Sequence, residues 1–272
     1  MPPTEPPTKP PAVRRNLNVA RHGVARVLSK LGIGSRTQAA RWVLDGRVSV
    51  NGTVVRDPEF PVRQGVDRLE FDQREAQVAT RLVIMLNKPR GLVTTAQDEQ
   101  SRDTVYRCLE GAGLPWLAPV GRLDKASEGL LLFSNDPEWA ARVTDPGSGP
   151  EKTYHVQVDR LPDDDFLASL ERGVHVDGEH LGARSARCLR MGGRNAWLEI
   201  VLEEGRNRQI RRLLAAFDAS VLRLVRVAVG TLRLGDLPKG EWRALTEQEI
   251  AAVPRQSSAA GAGQKHRPAA AG

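Results

Sequence analysis

Cysteine is scarce in this sequence. The 272 residues include two cysteines, Cys108 and Cys188, which stand far apart in the chain. Their scarcity argues against a disulfide framework and against a cysteine-rich metal site, and it fits a reducing cytoplasm. His175 and His180 are close in sequence, but no third ligand lies within reach by spacing. The sequence therefore predicts no bound metal.

Long hydrophobic runs are missing as well. No run is long enough to span a bilayer, and the N-terminus lacks the apolar core of a secretory signal. We therefore expect a cytoplasmic protein that does not enter a membrane. Acidic residues number 33 against 40 Lys and Arg, which gives a formal net charge of +7. This excess indicates an anionic partner, nucleic acid before membrane, with a merely soluble basic protein as the alternative.

Composition divides the chain into segments. Residues 1–20 are rich in proline and residues 254–272 in alanine, glycine and serine, so both ends are predicted to be disordered. The hydrophobic share of the whole chain, 40%, is enough for a real core. Apolar patterns predict a small domain at 21–72 and a larger one at 81–253, with a polar linker at 73–80 between them.

The small domain has the pattern of two helices followed by a hairpin. Ser35 and Gln38 form a capping box that starts the second helix, and Asn51-Gly52 predicts a hairpin turn. This unit resembles the S4 RNA-binding domain. The resemblance implies phosphate contacts, which position an RNA without reading its sequence, from a basic surface at Lys30, Arg36, Arg41 and Arg47. A solvated basic face is the alternative.

The larger domain contains the motif Gly121-Arg122-Leu123-Asp124, which precedes a run apolar enough to be a buried strand. If the step from Arg122 to Asp124 is extended, the guanidinium and the carboxylate lie side by side. A nearby cation keeps a carboxylate ionised where water is scarce, as a covalent catalyst or a general base requires. For an isolated Arg-x-Asp tripeptide, an ordinary ion pair at a strand end is the alternative.

A second arginine-rich segment opens a helix near residue 209. Its apolar face, with the spacing i, i+3, i+4 and i+7, consists of Ile210, Leu213, Leu214 and Phe217. On this helix Arg208 and Arg212 lie nearly opposite the apolar face, toward solvent or phosphate. Arg211 falls at the border, where a half-buried guanidinium can meet a carboxylate with bidentate geometry.

Gly121 to Asp124, followed by Gly129-Leu130-Leu131-Leu132, resembles the central motif of pseudouridine synthases. More narrowly, the chain resembles the RsuA-type family of ribosomal enzymes, with matching blocks over roughly residues 24–252. The resemblance implies that Asp124 is the catalytic aspartate and that Arg211 pairs with it. It also implies that Tyr154 stacks on the target base and that Leu224 closes the uridine pocket. Core packing is the alternative role for the last two residues.

A turn at residues 87–91 also matches the family, through Lys88-Pro89-Arg90-Gly91. Lys88 and Arg90 are therefore candidate contacts to the RNA, although a structural turn explains them nearly as well. Arg122 and Arg208 are further candidate contacts to the RNA substrate. Residues 92–95, after the turn, are predicted to form a strand.

The expected fold class is α+β. A small S4-like domain precedes a catalytic domain with a largely antiparallel mixed sheet and helices at its sides. The implied reaction breaks the N1–C1′ bond of a uridine, flipped into a pocket, and rejoins the ring through C5. Bond energies are similar before and after, so no cofactor is expected.

The expected partner is ribosomal RNA or a ribosome assembly intermediate, bound by a monomer. Arg206 to Gln209 resembles the large-subunit enzymes more than the small-subunit enzyme. A non-catalytic RNA-binding assembly factor on the same fold is the competing hypothesis.

Overall fold

The computed structural model describes residues 20–77, 79–96, 100 and 102–254. The chain divides into two compact units between Ala79 and Thr80. The predicted disordered arm and tail lie outside the described residues, apart from Ala20 and Pro254. Within the described ranges, no helix has the length and apolar character needed to cross a membrane.

The first unit contains two helices and six short strands: β1 Arg21–Gly23, α1 Val24–Lys30, α2 Arg36–Leu44, β2 Val48–Val50, β3 Thr53–Val55, β4 Pro61–Arg63, β5 Leu69–Phe71 and β6 Arg74–Glu75. Strands β3, β2, β5 and β6 form one sheet in that order, and β1 pairs with β4. The predicted capping box of Ser35 and Gln38 is confirmed. The predicted turn is confirmed by positive φ angles at Asn51 and Gly52, of 52° and 83°, as a tight hairpin requires.

The predicted linker is wrong at its N-terminal end. The sequence predicts a polar connection at residues 73–80, but Arg74–Glu75 forms β6 and pairs with β5. The turn between these strands is built by Asp72 and Gln73, with φ angles of 49° and 63°. No glycine marks this turn, so its residue types do not reveal it. Ala76 packs against the core of the first unit, which therefore extends past residue 72.

The second unit is built on a nine-stranded sheet with helices around it. Its elements are β7 Val83–Lys88, a 3-10 helix Val105–Leu109, β8 Ala118–Val120, β9 Glu128–Ser134, α3 Pro137–Thr144, β10 Lys152–Val158, α4 Asp164–Arg172, β11 Val174–Val176, β12 Glu179–Leu181, β13 Ser185–Met191, β14 Ala196–Leu202, α5 Gln209–Ala215, β15 Val221–Val229, β16 Leu232–Arg233, β17 Trp242–Ala244 and α6 Glu247–Ala252. The sheet order is β13-β14-β10-β15-β9-β7-β17, with β16 on β15 and β8 on β9, and β11 pairs separately with β12.

Within this sheet β15 and β9 run parallel, and the other pairs are antiparallel. This confirms the expected α+β class with a largely antiparallel mixed sheet. The predicted strand at residues 92–95 is wrong, because Val93 makes only an isolated bridge to Thr104. Its neighbour Thr94 is instead bound through its side chain to the Leu123 carbonyl.

Strands β7 and β9 are buried on both faces. Leu131 and Phe133 of β9 enter one apolar core, whereas Leu130 and Leu132 enter another. This explains why the sequence of β9 is a continuous apolar run without alternation. Gly129 has a φ of +101°, and a Cβ there would lie 2.3 Å from the carbonyl oxygen of Arg226. Glycine at this position therefore allows β15 to approach the start of β9.

Candidate active site

Asp124 lies in the loop between β8 and β9, and its backbone is tightly held. The Ser127 amide donates to the Asp124 carbonyl over 2.9 Å. The Thr94 hydroxyl donates to the Leu123 carbonyl over 2.7 Å. The Asp124 side chain is 36% exposed. A carboxylate on an anchored loop is thus presented to solvent and to a cavity beside it.

Lys88 is an anchor of this loop and not a surface contact. Its residue is 0% exposed, and its Nζ donates to the carbonyls of Pro89, Asp124 and Ser127 over 3.1, 3.2 and 2.8 Å. Burial lowers the pKa of Lys88 to about 8, against the opposing effect of the Asp124 charge. The prediction that Lys88 contacts the RNA is therefore wrong, because β7 is buried on both faces up to this residue.

We expect Lys88→Met to destabilise the protein by on the order of 3 kcal/mol and to slow its reaction. The substitution removes a donor from three carbonyls, of which the Ser127 carbonyl is buried and the other two are partly buried, and it frees the loop that carries Asp124. Thermal unfolding and single-turnover rates measure the two effects.

Lys125→Met is the matched control, since Lys125 is an exposed lysine of the same loop. It should change stability by no more than about 0.5 kcal/mol. Equal stability of the two variants would contradict the anchoring role of Lys88.

A cavity of about 660 Å³ adjoins Asp124. It gathers six of the residues that the sequence singled out for the site: Arg122, Asp124, Tyr154, Arg208, Arg211 and Leu224. It also includes residues to which sequence reasoning gave no role, among them Lys152 and Arg226. The sequence contained a signal for Lys152, because this residue stands two positions from Tyr154 in an alternating strand and is therefore expected on the same face. Arg226 gave the same signal, because it stands two residues from Leu224 in an alternating strand, and strand pairing then places it beside Tyr154.

Of the arginines in the described part of the chain, Arg208 lies nearest to the Asp124 carboxylate, with Nη1 3.9 Å from Oδ2. Among the described residues it is the only ion-pair partner of Asp124. The Arg208 side chain is 54% exposed, as expected, but the expectation that it lies on a face of the helix is wrong. Helix α5 begins at Gln209, and Arg208 is its N-cap with a left-handed φ of 50°. Helical periodicity therefore does not apply to Arg208.

Arg211 is half-buried beside the same cavity, as its border position predicted. Its Nη1 donates to the Val221 carbonyl over 3.4 Å, and its Nε is buried without a hydrogen-bond partner. Burial and the Arg208 charge lower the pKa of Arg211, whereas Asp124 opposes them. The structure thus places Arg211 in the electrostatic surroundings of Asp124 without the expected bidentate pair.

The expected pairing of Arg122 with Asp124 is wrong. Arg122 is exposed, and these two described residues form no ion pair. The segment between them is a loop and not an extended strand, and it begins at Gly121 with a φ of 73°. The alternation that would have placed the two side chains together therefore does not arise.

Tyr154 and Leu224 stand on neighbouring strands, β10 and β15. In the ladder Val156 pairs with Leu224, and Tyr154 pairs with Arg226. Tyr154 and Leu224 are 8% and 6% exposed, and both belong to the main core. They also line the cavity. These two residues therefore pack in the core and also form part of the cavity wall.

Arg212 binds a neighbouring hairpin instead of facing solvent. Its Nη1 lies 2.6 Å from Glu179 Oε2, and its Nη2 donates to the Val176 carbonyl over 3.1 Å. These contacts join α5 to the β11–β12 hairpin. Arg212 does not line the cavity beside Asp124.

Two of the four basic residues predicted for RNA contact in the first unit already have acidic partners. Arg47 donates to both carboxylate oxygens of Asp72, with its Nε 2.8 Å from Oδ1, and its guanidinium lies 4.8 Å from the Phe71 ring. Arg47 therefore has a structural role, at the turn into β6. Arg36 meets Glu59 at 3.1 Å, but both side chains are well exposed. Over the described ranges, Lys30 and Arg41 form no ion pair.

The second unit has a sheet in which β7 and β9 are buried on both faces. Its cavity combines an anchored aspartate with a tyrosine, a leucine and arginines. Together these features define a catalytic domain of the pseudouridine synthase type. Comparison with known proteins agrees. A sequence model of the family described as RNA pseudouridylate synthase matches residues 82–216, and one of the S4 domain matches residues 24–67. The chain belongs to the pseudouridine synthase family, and its resemblance to the RsuA type with an S4 domain is confirmed.

Relatives match over most of their length. A protein of Rickettsia bellii (strain RML369-C) called an uncharacterized RNA pseudouridine synthase is 37% identical over 225 residues, which cover 83% of this chain and 97% of the relative. Ribosomal large subunit pseudouridine synthase B of Bacillus subtilis (strain 168) is 32% identical, covering 83% and 92%. A crystal structure of a pseudouridylate synthase superposes with a TM-score of 0.59 at 27% identity, covering 86% of this chain and 99% of the other.

Proposed function

We propose that this enzyme converts a uridine of ribosomal RNA, in the large subunit, to pseudouridine, with Asp124 acting on a flipped-out nucleotide. The observation that carries the proposal is the position of Asp124, on an anchored loop beside a cavity walled by Tyr154 and Leu224. The large-subunit assignment is supported by the relatives of B. subtilis and Haemophilus influenzae, which are both called ribosomal large subunit pseudouridine synthase B.

The cavity suits a single nucleotide. Its volume, about 660 Å³, lies in the range of small-molecule sites. A base hidden in a stacked RNA must leave the stack to reach such a cavity. There Tyr154 stacks on the uracil, and Leu224 keeps water away from the sugar. Exclusion of water matters, because hydrolysis at C1′ would leave an abasic site instead of pseudouridine.

The arginines divide between the RNA backbone and Asp124. Arg208 is 54% exposed and lies 3.9 Å from Asp124, a long contact that phosphate oxygens can replace. Arg211 has a buried donor without a partner. When RNA draws Arg208 toward a phosphate, Arg211 becomes the cation that holds Asp124 ionised and aimed.

We expect the S4-like unit to contribute phosphate contacts that do not depend on sequence. Lys30→Gln, Arg36→Gln and Arg41→Gln together should weaken RNA binding, and the slope of log K against log salt should become shallower by about 2. Filter binding across a salt series measures this slope.

A second variant should lack residues 1–79, because the first unit ends at Ala79. For this variant the slope of log K against log salt should become shallower by at least as much as for the triple variant. An unchanged slope in both variants would remove the RNA-binding role from this unit.

The function is tested by mapping pseudouridines in ribosomal RNA from cells with and without this protein. Carbodiimide labelling followed by primer extension should show one or more large-subunit stops that vanish with the gene. If every pseudouridine persists, or if those lost lie in the small subunit, the proposed substrate is wrong.

A further inference from the structure

Two cations, Lys152 and Arg226, stand beside Tyr154 on the inner wall of the cavity. Lys152 is two residues from Tyr154 on β10, so both side chains leave the same face of the strand. Arg226 pairs with Tyr154 across β10 and β15. It is 6% exposed, and its Nε donates to the Leu130 carbonyl over 2.7 Å. We call Lys152 and Arg226 the inner cations.

No carboxylate of the described part of the chain forms an ion pair with either inner cation. The acidic residues that share the cavity have other partners. Glu204 meets Arg206 at 2.8 Å, and Asp124 faces Arg208. Burial lowers the pKa of Lys152, and the Arg226 charge lowers it further. Arg226 is buried and Lys152 is half-buried. Two like charges that are largely withdrawn from water without a counter-ion cost stability, so their retention indicates an anion that arrives during function.

Two anionic groups could arrive with an RNA, a phosphate or the uracil ring. Phosphates stay on the RNA backbone, and exposed arginines at Arg122 and Arg208 are available to meet them. The base is the part that enters beside Tyr154, and it is neutral until its bond to the sugar breaks. The ring becomes charged only during the reaction, so the inner cations bind it more tightly in the transition state than in the ground state. Such differential binding accelerates the reaction.

We propose that Lys152, together with Arg226, stabilises the negative charge that develops on the uracil ring when the N1–C1′ bond breaks. This inference rests on the proposed function. The bond's electron pair stays on the ring and spreads over N1, O2 and O4, where ammonium and guanidinium donors can meet the oxygens. C5 of the ring then bonds to C1′, the hydrogen on C5 leaves as a proton, and N1 gains a proton. The step is an isomerisation and consumes no co-reactant.

The proposal is tested with Lys152→Met, which keeps the length of the side chain and removes its charge. Removal of one preorganised donor to a developing oxyanion costs about 10²- to 10³-fold, and we expect a loss of that size in the single-turnover rate on large-subunit RNA. RNA affinity should change little, because the anion does not exist in the bound ground state. Lys152→Arg, which keeps a cation, should recover part of the rate.

A second substrate separates stabilisation of the ring from general damage to the site. RNA containing 5-fluorouridine has a leaving ring whose anion is already stabilised by fluorine. The reaction is followed as loss of the N-glycoside by mass spectrometry of digested RNA. The rate deficit of Lys152→Met relative to the wild type should be severalfold smaller on this substrate than on uridine RNA. Arg122→Gln is the control. Because it removes a contact to the RNA backbone, it should slow the reaction of both substrates by the same factor when enzyme is limiting.

Stability gives a third readout. Lys152→Met removes an uncompensated charge, so the thermal midpoint should stay equal or rise. A lower midpoint would assign Lys152 a structural role and overturn the proposal. A wild-type rate for Lys152→Met, or an equal deficit on both substrates, would also overturn it while leaving the proposed function intact. If the wild-type enzyme forms no pseudouridine in ribosomal RNA, the proposed function fails and the inference fails with it.

Discussion

Asp124→Asn should abolish isomerisation while RNA binding persists. The substitution keeps the size and shape of the side chain, but it removes the negative charge that a nucleophile or base requires. We expect a loss of about 10³-fold or more. The loop itself should remain in place, because Lys88 and the Ser127 amide bind the carbonyl of Asp124 and not its carboxylate. Primer-extension stops after carbodiimide labelling report the product, and filter binding reports affinity.

Asp165→Asn is the matched control. Asp165 lies on α4 with a side chain 89% exposed and does not line the cavity, so its substitution should leave the rate unchanged. Undiminished pseudouridine with Asp124→Asn would refute the catalytic role of Asp124. A wild-type protein that itself formed no pseudouridine would instead favour the competing hypothesis of a non-catalytic assembly factor.

Arg211→Lys should lower the single-turnover rate by about 10²-fold although it keeps the positive charge. The guanidinium of Arg211 is half-buried, and its Nε has no partner, so it is free to meet Asp124 with two parallel hydrogen bonds. A lysine ammonium cannot reproduce that geometry, and a small misplacement of a catalytic group is enough for a loss of this size. Lysine still holds Asp124 ionised in part, so RNA affinity should fall less than turnover.

Two arginines of the same segment serve as comparisons. Arg212→Lys should cost little, because Arg212 does not line the cavity and a lysine can still meet Glu179. Arg208→Lys should weaken RNA binding more than turnover, since Arg208 is exposed and contacts Asp124 only at 3.9 Å. A larger loss of turnover at Arg208 than at Arg211 would show that Arg208, and not Arg211, is the working partner of Asp124.

The sequence predicts well those features that depend on neighbouring residues. The capping box of Ser35 and Gln38 and the turn at Asn51-Gly52 are both present, because each is decided within four residues. The apolar run at residues 130–133 correctly indicates a buried strand. Where the local signal is weak, prediction fails. The turn at Asp72-Gln73 carries no glycine, and β6, which follows it, falls in the segment predicted to be a linker.

Family motifs join distant residues into one hypothesis about the site. Asp124, Tyr154, Arg211 and Leu224 are spread over a hundred residues, and the structure places all four around one cavity. Their catalytic roles remain predictions. Arg208 shows the limit of periodicity. The helical pattern does not extend to this residue, which caps the helix in a left-handed conformation and lies with its guanidinium near Asp124.

By itself the sequence determined the two domains' types, the helix and turn signals within them, and the motif that carries Asp124. Only the tertiary structure decided which charges meet. It buried Lys88 beneath the Asp124 loop, and it paired Arg47 with Asp72. It also brought Arg226 next to Tyr154 through the register of β10 and β15. The physical reason is that the partner, burial and pKa of a charge depend on strand order and register, which join residues far apart in the chain.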